Sequence, residues 1–288
     1  MASREETIAN HKERLNRVLL YIQDNVESPL SLESLSDVAC FSPYHFHRIF
    51  AAYVGETLNE HVRRIRLEKA ASKLCHLNES VTSVALSAGY QTPAAFTKAF
   101  RNHFGISPSE FKQRRQAITA PARQDRRPME GKAMKPEIRT LLEQRVLFVR
   151  KTGRYDKAAS EAWATLMGFA YSRRLINKDT KGIGISHDDP EITPEENIRY
   201  DACISIHGHV KPEGEVGVQT ISSGRYAVFL HKGPYQNFVE TYRYIFSSWL
   251  PENDEKLRDM PCFELYLNRD PSRTKPANLR TEIFVPIV

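Results

Sequence analysis

Ala39-Cys-Phe-Ser-Pro-Tyr-His-Phe-His-Arg-Ile-Phe50 decides the fold of the first half of this chain, because it comes back. Ala88-Gly89-Tyr90-Gln91-Thr92-Pro93 echoes its opening, Phe96-Thr97-Lys98-Ala99-Phe100 echoes Phe46-His47-Arg48-Ile49-Phe50, and Gly105 matches Gly55. Ser42-Pro43 and Thr92-Pro93 each set a hydroxyl at a helix cap and proline at the first helical position, where a missing N–H costs nothing. Thr57 with Glu60, and Ser107-Pro108 with Glu110, read as capping boxes. Gly55, Gly89 and Gly105 fall between helices, where a left-handed turn needs them. Each unit is therefore a short helix, a tight turn, and a second helix with aromatics on its buried face. That is a helix-turn-helix, present twice and joined by a longer helix from about Thr57 to His76. Leu15, Val18, Leu19 and Ile22, at i, i+3, i+4 and i+7, open the chain with an amphipathic helix. No strand-like alternation interrupts this half, so it reads as all-α.

The surrounding composition is that of a globular protein with two cores: 288 residues, 41% apolar and 26% charged. No run approaches ~18 apolar residues, so a membrane span is not expected. Met1–Asn10 is polar with both signs and does not read as a signal peptide. Cys40, Cys75, Cys203 and Cys262 are scattered without a CxxC pair, which suits a reducing cytoplasm. The net charge of +6 is unevenly placed. Residues 1–115 carry 15 Lys/Arg against 12 Asp/Glu, residues 116–135 carry 5 against 2, and residues 136–288 balance at 21 against 21. A basic part beside a neutral part suggests a polyanion-binding domain with a partner of different task. Residues 116–135, with two prolines and no aromatic, read as an exposed basic linker.

From 136 onward the period changes. Arg145–Arg150 and Arg225–Leu230 are strand-like runs, each leading to a glycine turn and then a helix. Lys151-Thr152-Gly153-Arg154-Tyr155 matches His231-Lys232-Gly233-Pro234-Tyr235 at an offset of 80, and Pro190, Arg199 and Asp201 match Pro271, Arg280 and Glu282 at 81. The expected fold class is therefore multidomain. It has an all-α tandem helix-turn-helix domain (1–115), a linker (116–135), and an α+β domain (136–288) of two strand-helix-strand-strand repeats around a groove.

On the first recognition helix, Phe46, Ile49 and Phe50 form the apolar stripe, leaving Tyr44, His47, Arg48 and Ala51 outward. Arg48 suits bidentate contact with guanine, and Tyr44 suits packing on a thymine methyl or a sugar. On the second, Phe96 and Phe100 face inward and Ala94, Ala95, Lys98 and Arg101 outward. With alanines there, the second module should discriminate bases less sharply. His45 and His47 cannot share a helix face, and His207 and His209 have no evident third ligand, so no metal is expected.

The run Gly89-Tyr90, Phe96–Phe100, Phe104-Gly105-Ile106-Ser107-Pro108, Phe111 resembles the signature of the AraC/XylS transcription activators. The resemblance covers about residues 9–115. It implies insertion of both recognition helices into the major groove of double-stranded promoter DNA, with RNA polymerase as a partner. Carried over by position, the base readers are Tyr44, His47 and Arg48, then Ala94, Ala95 and Lys98. Gly182–Pro190, Arg199–Ala202 and Cys262–Asn268 resemble the GyrI-like effector-binding domain, from about residue 136 to 288. The whole is similar to the Rob-type regulators, which implies small lipophilic, often cationic molecules bound between the repeats, and no cofactor.

In Cys262–Leu267, Phe263, Leu265 and Leu267 alternate with Glu264 and Tyr266. If the aliphatic set packs on the helices, Glu264 and Tyr266 project from the opposite face into the groove. The repeat places Ile183 and Ile185 opposite them, so the acid occurs in one half only. A carboxylate among aromatics suits a desolvated cation; a structural ion pair is the other reading. Tyr155 and Tyr235 are candidate ring walls or turn-stabilising residues, and Trp163 reads as core. Two alternatives follow from the same resemblance. One is hydrolysis of cyclopropyl compounds with Glu264 as general base; the other is contact with gyrase or another protein.

Overall fold

A computed structural model describes residues 4–77, 79–119, 134–206, 208–253 and 255–288. Its first half is helical: α1 Arg4–Asn25, α2 Leu32–Ala39, α3 Pro43–Val54, α4 Leu58–His76, α5 Val81–Ser87, α6 Pro93–Phe104 and α7 Pro108–Thr119. The caps explain the boundaries. Ser42, Thr57 and Thr92 accept from the backbone N–H groups of His45, Glu60 and Ala95, and Glu60 closes the box at Thr57. Gly55 and Gly105 end α3 and α6 in the left-handed region, with φ of 87° and 78°. The stripe of α1 (Leu15, Val18, Ile22) packs with Leu35, Ala39, Phe46, Phe50, Leu58 and Val62 in one core. In the second module, Phe96, Phe100, Phe104 and Phe111 contact one another ring to ring.

The region read as a linker needs correction at both ends. Helix α7 runs on to Thr119, because Gln113–Thr119 holds no proline or glycine to stop it. At the other end, Met134 packs on the second core, and its carbonyl accepts from the Tyr244 hydroxyl at 3.3 Å. The remainder, 120–133, lies outside the described residues, as does His207.

The second half builds one eight-stranded sheet: β1 Glu137–Leu141, β2 Gln144–Thr152, β3 Gly182–Ser186, β4 Arg199–Ser205, β5 Val216–Ile221, β6 Gly224–Lys232, β7 Cys262–Tyr266 and β8 Arg280–Pro286. Helix α8 is Tyr155–Ser172; α9 is Phe238–Tyr244, continued by a π-helical stretch, Ile245–Trp249. The order β1-β6-β8-β7-β3-β4-β2-β5 is symmetric about the β7–β3 pair. Each repeat thus has one strand more than expected, and these edge strands are exchanged: β1 pairs with β6 of the other repeat. Only residues 142 and 143 join β1 to β2, although these strands stand toward opposite ends of the sheet. Two residues reach roughly 11 Å at most, so the sheet must curl. Phe148, Ile183, Ile185, Phe263 and Phe284 fill its inner face and are buried. The outer face carries α8, lying on β2 and β4, and α9, whose core includes Ile245, Trp249, Phe229, Ile283 and Val285. Strands β3 and β7 run between the two helices.

Contacts divide the chain into two units, one of residues 1–116 with 211–217 and the other of 117–210 with 218–288. Among the described residues, no helix is long and apolar enough to cross a membrane.

Candidate DNA interface and effector site

The recognition helices present what their stripes leave over. On α3, Phe46 and Phe50 are fully buried, while Tyr44, His47 and Arg48 are exposed. The Arg48 guanidinium lies over the Tyr44 ring, 4.6 Å from its centroid. Ala51 is only half-exposed. On α6, Phe96 and Phe100 are buried, and Ala94, Ala95, Lys98 and Arg101 are exposed. Helix α4 between them is locked by charge. Arg64 donates to Glu56 at 2.6 Å and to buried Glu68 at 3.1 Å, and His61 meets Glu56 at 2.8 Å. Burial works to raise the Glu56 carboxyl, but the bonds from His61 and Arg64 prevail and hold it at about 2.

The two tight turns solve one backbone problem differently. Gly89 takes φ 80°, and a Cβ there would stand 3.1 Å from an Arg66 nitrogen. Arg66 in turn is tied to the carbonyls of Val26 and Ser28. In the first module the matching residue is Cys40, held left-handed at φ 52°. Arg14 braces that turn by donating to the Cys40 carbonyl at 2.8 Å.

The effector-site reading is corrected in its orientation and its register. Directly paired residues of antiparallel strands share a face. Glu264 pairs with Gly184 and with Ile283, so Glu264 and Tyr266 lie on the helix-bearing outer face. Phe263 and Leu265, the set expected to meet the helices, point into the curl of the sheet. Ile183 and Ile185 pair with Leu265 and Phe263 and also point inward, away from Glu264. The cause is the offset. It is 80 from β1 through β7 and becomes 81 only after β3 and β7, so the mates of Glu264 and Tyr266 are Gly184 and Ser186.

Glu264 sits in the seam between α8 and α9 and is 1% exposed. Its Oε1 accepts from the Tyr242 hydroxyl at 2.5 Å and from Ser186 at 3.1 Å. Its Oε2 is buried with no hydrogen-bond partner among the described residues. Burial pushes the carboxyl up to about 7, and the hydrogen bonds from Tyr242, Ser186 and its own backbone only partly oppose this. Rings surround it. Trp163 donates to the Tyr200 hydroxyl at 3.0 Å, and Tyr200 and Tyr266 share a hydrogen bond at 2.9 Å. The Tyr266 ring meets Trp163 at 5.8 Å and Tyr235 at 5.3 Å. Tyr155 meets Tyr200 at 6.2 Å while its hydroxyl donates to the Asp188 carbonyl, so it is both ring wall and loop anchor.

Gly184 makes the arrangement possible. A Cβ there would stand 2.5 Å from the Tyr200 hydroxyl, 2.6 Å from that of Tyr266 and 2.9 Å from Glu264 Oε2. Sequence reasoning missed Tyr200, Tyr242, Ser186 and Gly184, and took Trp163 for core. The signal was present: at an offset of 80, Ala162 matches Tyr242 and Gly184 matches Glu264. The small residues of one repeat stand against the candidate-site residues of the other.

The comparisons agree with this division of labour. The GyrI-like small molecule binding domain family matches residues 134–288, and a helix-turn-helix domain family matches 35–114. The chain is 32% identical over 98 residues to the multiple antibiotic resistance protein MarA of Escherichia coli (strain K12), covering 34% of this chain and 77% of MarA. To the HTH-type transcriptional activator RhaS of Enterobacter sp. (strain 638) it is 34% identical over 112 residues, covering 39% of this chain and 40% of RhaS. The crystal structure of the EcmrR C-terminal domain aligns with 54% of this chain and 98% of its own, at 19% identity and a TM-score of 0.47. Its two halves, read together, place the chain in the AraC-type DNA-binding transcription regulators that carry a GyrI-like small-molecule-binding domain.

Proposed function

We propose that this regulator reads promoter DNA through Tyr44, His47 and Arg48 of α3 and Ala94, Ala95, Lys98 and Arg101 of α6. Its activity toward RNA polymerase is then set by a lipophilic cation held at Glu264. The helical half, through Thr119, and the sheet half, from Met134, carry the two tasks. One observation supports the effector reading above the others: a buried acid with an unpartnered oxygen stands among six aromatic residues, Tyr155, Trp163, Tyr200, Tyr235, Tyr242 and Tyr266. A structural ion pair would have set an arginine or lysine there; instead the groups facing Glu264 are hydroxyls and rings. Aromatic faces and one desolvated carboxylate are complementary to a delocalised cation. The family matched by residues 134–288 is described as small molecule binding, which supports binding over hydrolysis.

Calorimetric titration of the full chain with 1-methylquinolinium, and with its neutral isostere 1-methylnaphthalene, tests the site. Removing one partner of a desolvated ion pair leaves the other uncompensated. Glu264→Gln should therefore weaken the cation roughly tenfold to a thousandfold and the neutral compound much less. Equal affinities of the wild type and Glu264→Gln for the cation would remove Glu264 from the site. Product analysis of the same mixtures tests hydrolysis, which predicts consumption of the bound compound.

A further inference from the structure

We propose that the Glu264 site works by exchange, giving up a proton from the carboxyl for each permanently charged cation it takes in. This rests on the cation reading above and adds what happens to the charge when the seam is empty. A carboxylate offers about four lone-pair sites. Here both donors, Tyr242 and Ser186, serve Oε1, and Oε2 is left buried without one. Leaving a charged oxygen so placed is far costlier than leaving a neutral O–H.

Among the described residues, no packed element supplies an alternative countercharge. Strand β3 brings Gly184 and Ser186, β4 brings Tyr200, and β7 brings Cys262 and Tyr266. Helix α8 brings Tyr155 and Trp163, α9 brings Tyr242, and β8 brings Ile283. Burial pushes the ionisations of Tyr155, Tyr200, Tyr242, Tyr266 and Cys262 upward, so each stays neutral around pH 7. The carboxyl itself is raised to about 7 by the same burial. Below about pH 7 the empty seam is therefore mostly neutral. When a cation L⁺ enters, Glu–COOH + L⁺ becomes Glu–COO⁻·L⁺ + H⁺; the O–H bond breaks and the proton passes to the buffer. Net charge in the seam is unchanged by the exchange. An amine that arrives neutral and takes the Glu264 proton binds without releasing one. The site therefore couples permanent cations to pH in a way it does not couple amines that are neutral in solution.

The test titrates the full chain with 1-methylquinolinium between about pH 5.5 and 8.5, in two buffers of unlike ionisation heat. Affinity should rise about tenfold per pH unit up to about pH 7 and then level off. Proton release should approach one per cation at the acid end and vanish at the alkaline end. Infrared difference spectra of the wild type, which need no variant, should show a protonated-carboxyl band lost on cation addition. Glu264→Gln should lack that band and flatten the pH profile. Tight binding with a flat profile and no proton release would overturn the exchange while leaving the cation reading intact. No binding of the cation at any pH would overturn the cation reading itself.

Discussion

The two repeats of the C-terminal sheet share a backbone, yet each keeps a different kind of acid. Asp201 on β4 points into the curl of the sheet, and Arg150 clasps it at 2.6 Å, with His187 and Gln219 each at 2.8 Å. Burial alone would raise its carboxyl, but the Arg150 charge and the hydrogen bonds from Arg150 and His187 hold it well below the usual range. Glu264 on β7 faces outward into the seam with hydroxyl partners and no cation. One acid is satisfied within the protein; the other is held short of satisfaction. A fold can bury two carboxyls a few strands apart and neutralise one with a buried cation while leaving the other only hydroxyl partners. The helix-turn-helix pair is divided in the same sense, with Tyr44, His47 and Arg48 on one module against Ala94, Ala95 and Lys98 on the other.

Removing the satisfied acid should do the greatest damage. Asp201→Ala leaves Arg150 buried without its counter-ion and His187 without its hydrogen-bond partner, and should cost about 3–5 kcal/mol. Glu282, the acid that matches Asp201 in the second repeat, pairs with part-exposed Arg139 at 2.7 Å, and Glu282→Ala should cost about 1 kcal/mol or less. Trp163 and Trp249 are the protein's two tryptophans, and both lie in this half, so fluorescence-detected urea unfolding reads it selectively. Equal losses for the two variants would erase the contrast between inner and rim acids.

The two acids should also respond to pH with opposite signs. The Asp201 carboxyl is depressed in the folded state, so its stabilisation is present above the unfolded value and fades as pH falls. That of Glu264 is raised from 4.5 to about 7, so its stabilisation is complete below about 4.5 and is lost as pH rises through 7. Near pH 8.5 the wild type should be less stable than Glu264→Gln by up to about 3 kcal/mol, with the gap closing toward pH 5. Melting curves at the two pH values check this, and a gap that widens toward acid would reverse the assignment.

For the helix-turn-helix pair the expected differences are smaller. Arg48→Ala should reduce discrimination between a selected site and a scrambled duplex by about 1–3 kcal/mol. Lys98→Ala should weaken both duplexes alike and lower the salt slope by about one. An unchanged affinity ratio in Arg48→Ala would transfer the reading to another residue. Smallest are the turn exchanges. Gly89→Ala should cost about 1–2 kcal/mol, from its positive φ and from Arg66 giving way. Cys40→Gly should gain about 0.5 kcal/mol, as relief of the left-handed strain outweighs the added chain entropy. Thermal melts of the DNA-binding half separate the two.

The helical half was legible because its signals are local: Ser42-Pro43, Thr57 with Glu60 and Thr92-Pro93 state their helix starts within four residues. Glu264 was legible as the acid present in one repeat only. Its surroundings were not, because Tyr200, Tyr242 and Trp163 come from three elements whose convergence depends on sheet order. The exchanged edge strands escaped for a like reason, since β1 pairs with β6 across the repeats. Ile183 and Ile185 were misplaced by one residue of offset, and in a strand one residue exchanges the faces.

That one residue also records how the duplicated domain could drift. Between β3 and β4 the connection is 187–198, and between β7 and β8 it is 267–279, so the extra residue lies in a loop. Inserted a few positions earlier, within β7, it would have turned residues on one side of it to the opposite face and could have aimed Glu264 into the curl of the sheet. Chain length was free to change only where no strand had to keep count. Sequence divergence between the copies was filtered by parity before it was filtered by chemistry, and exchanging segments between related proteins would preserve this seam only if the crossover points respect the same arithmetic.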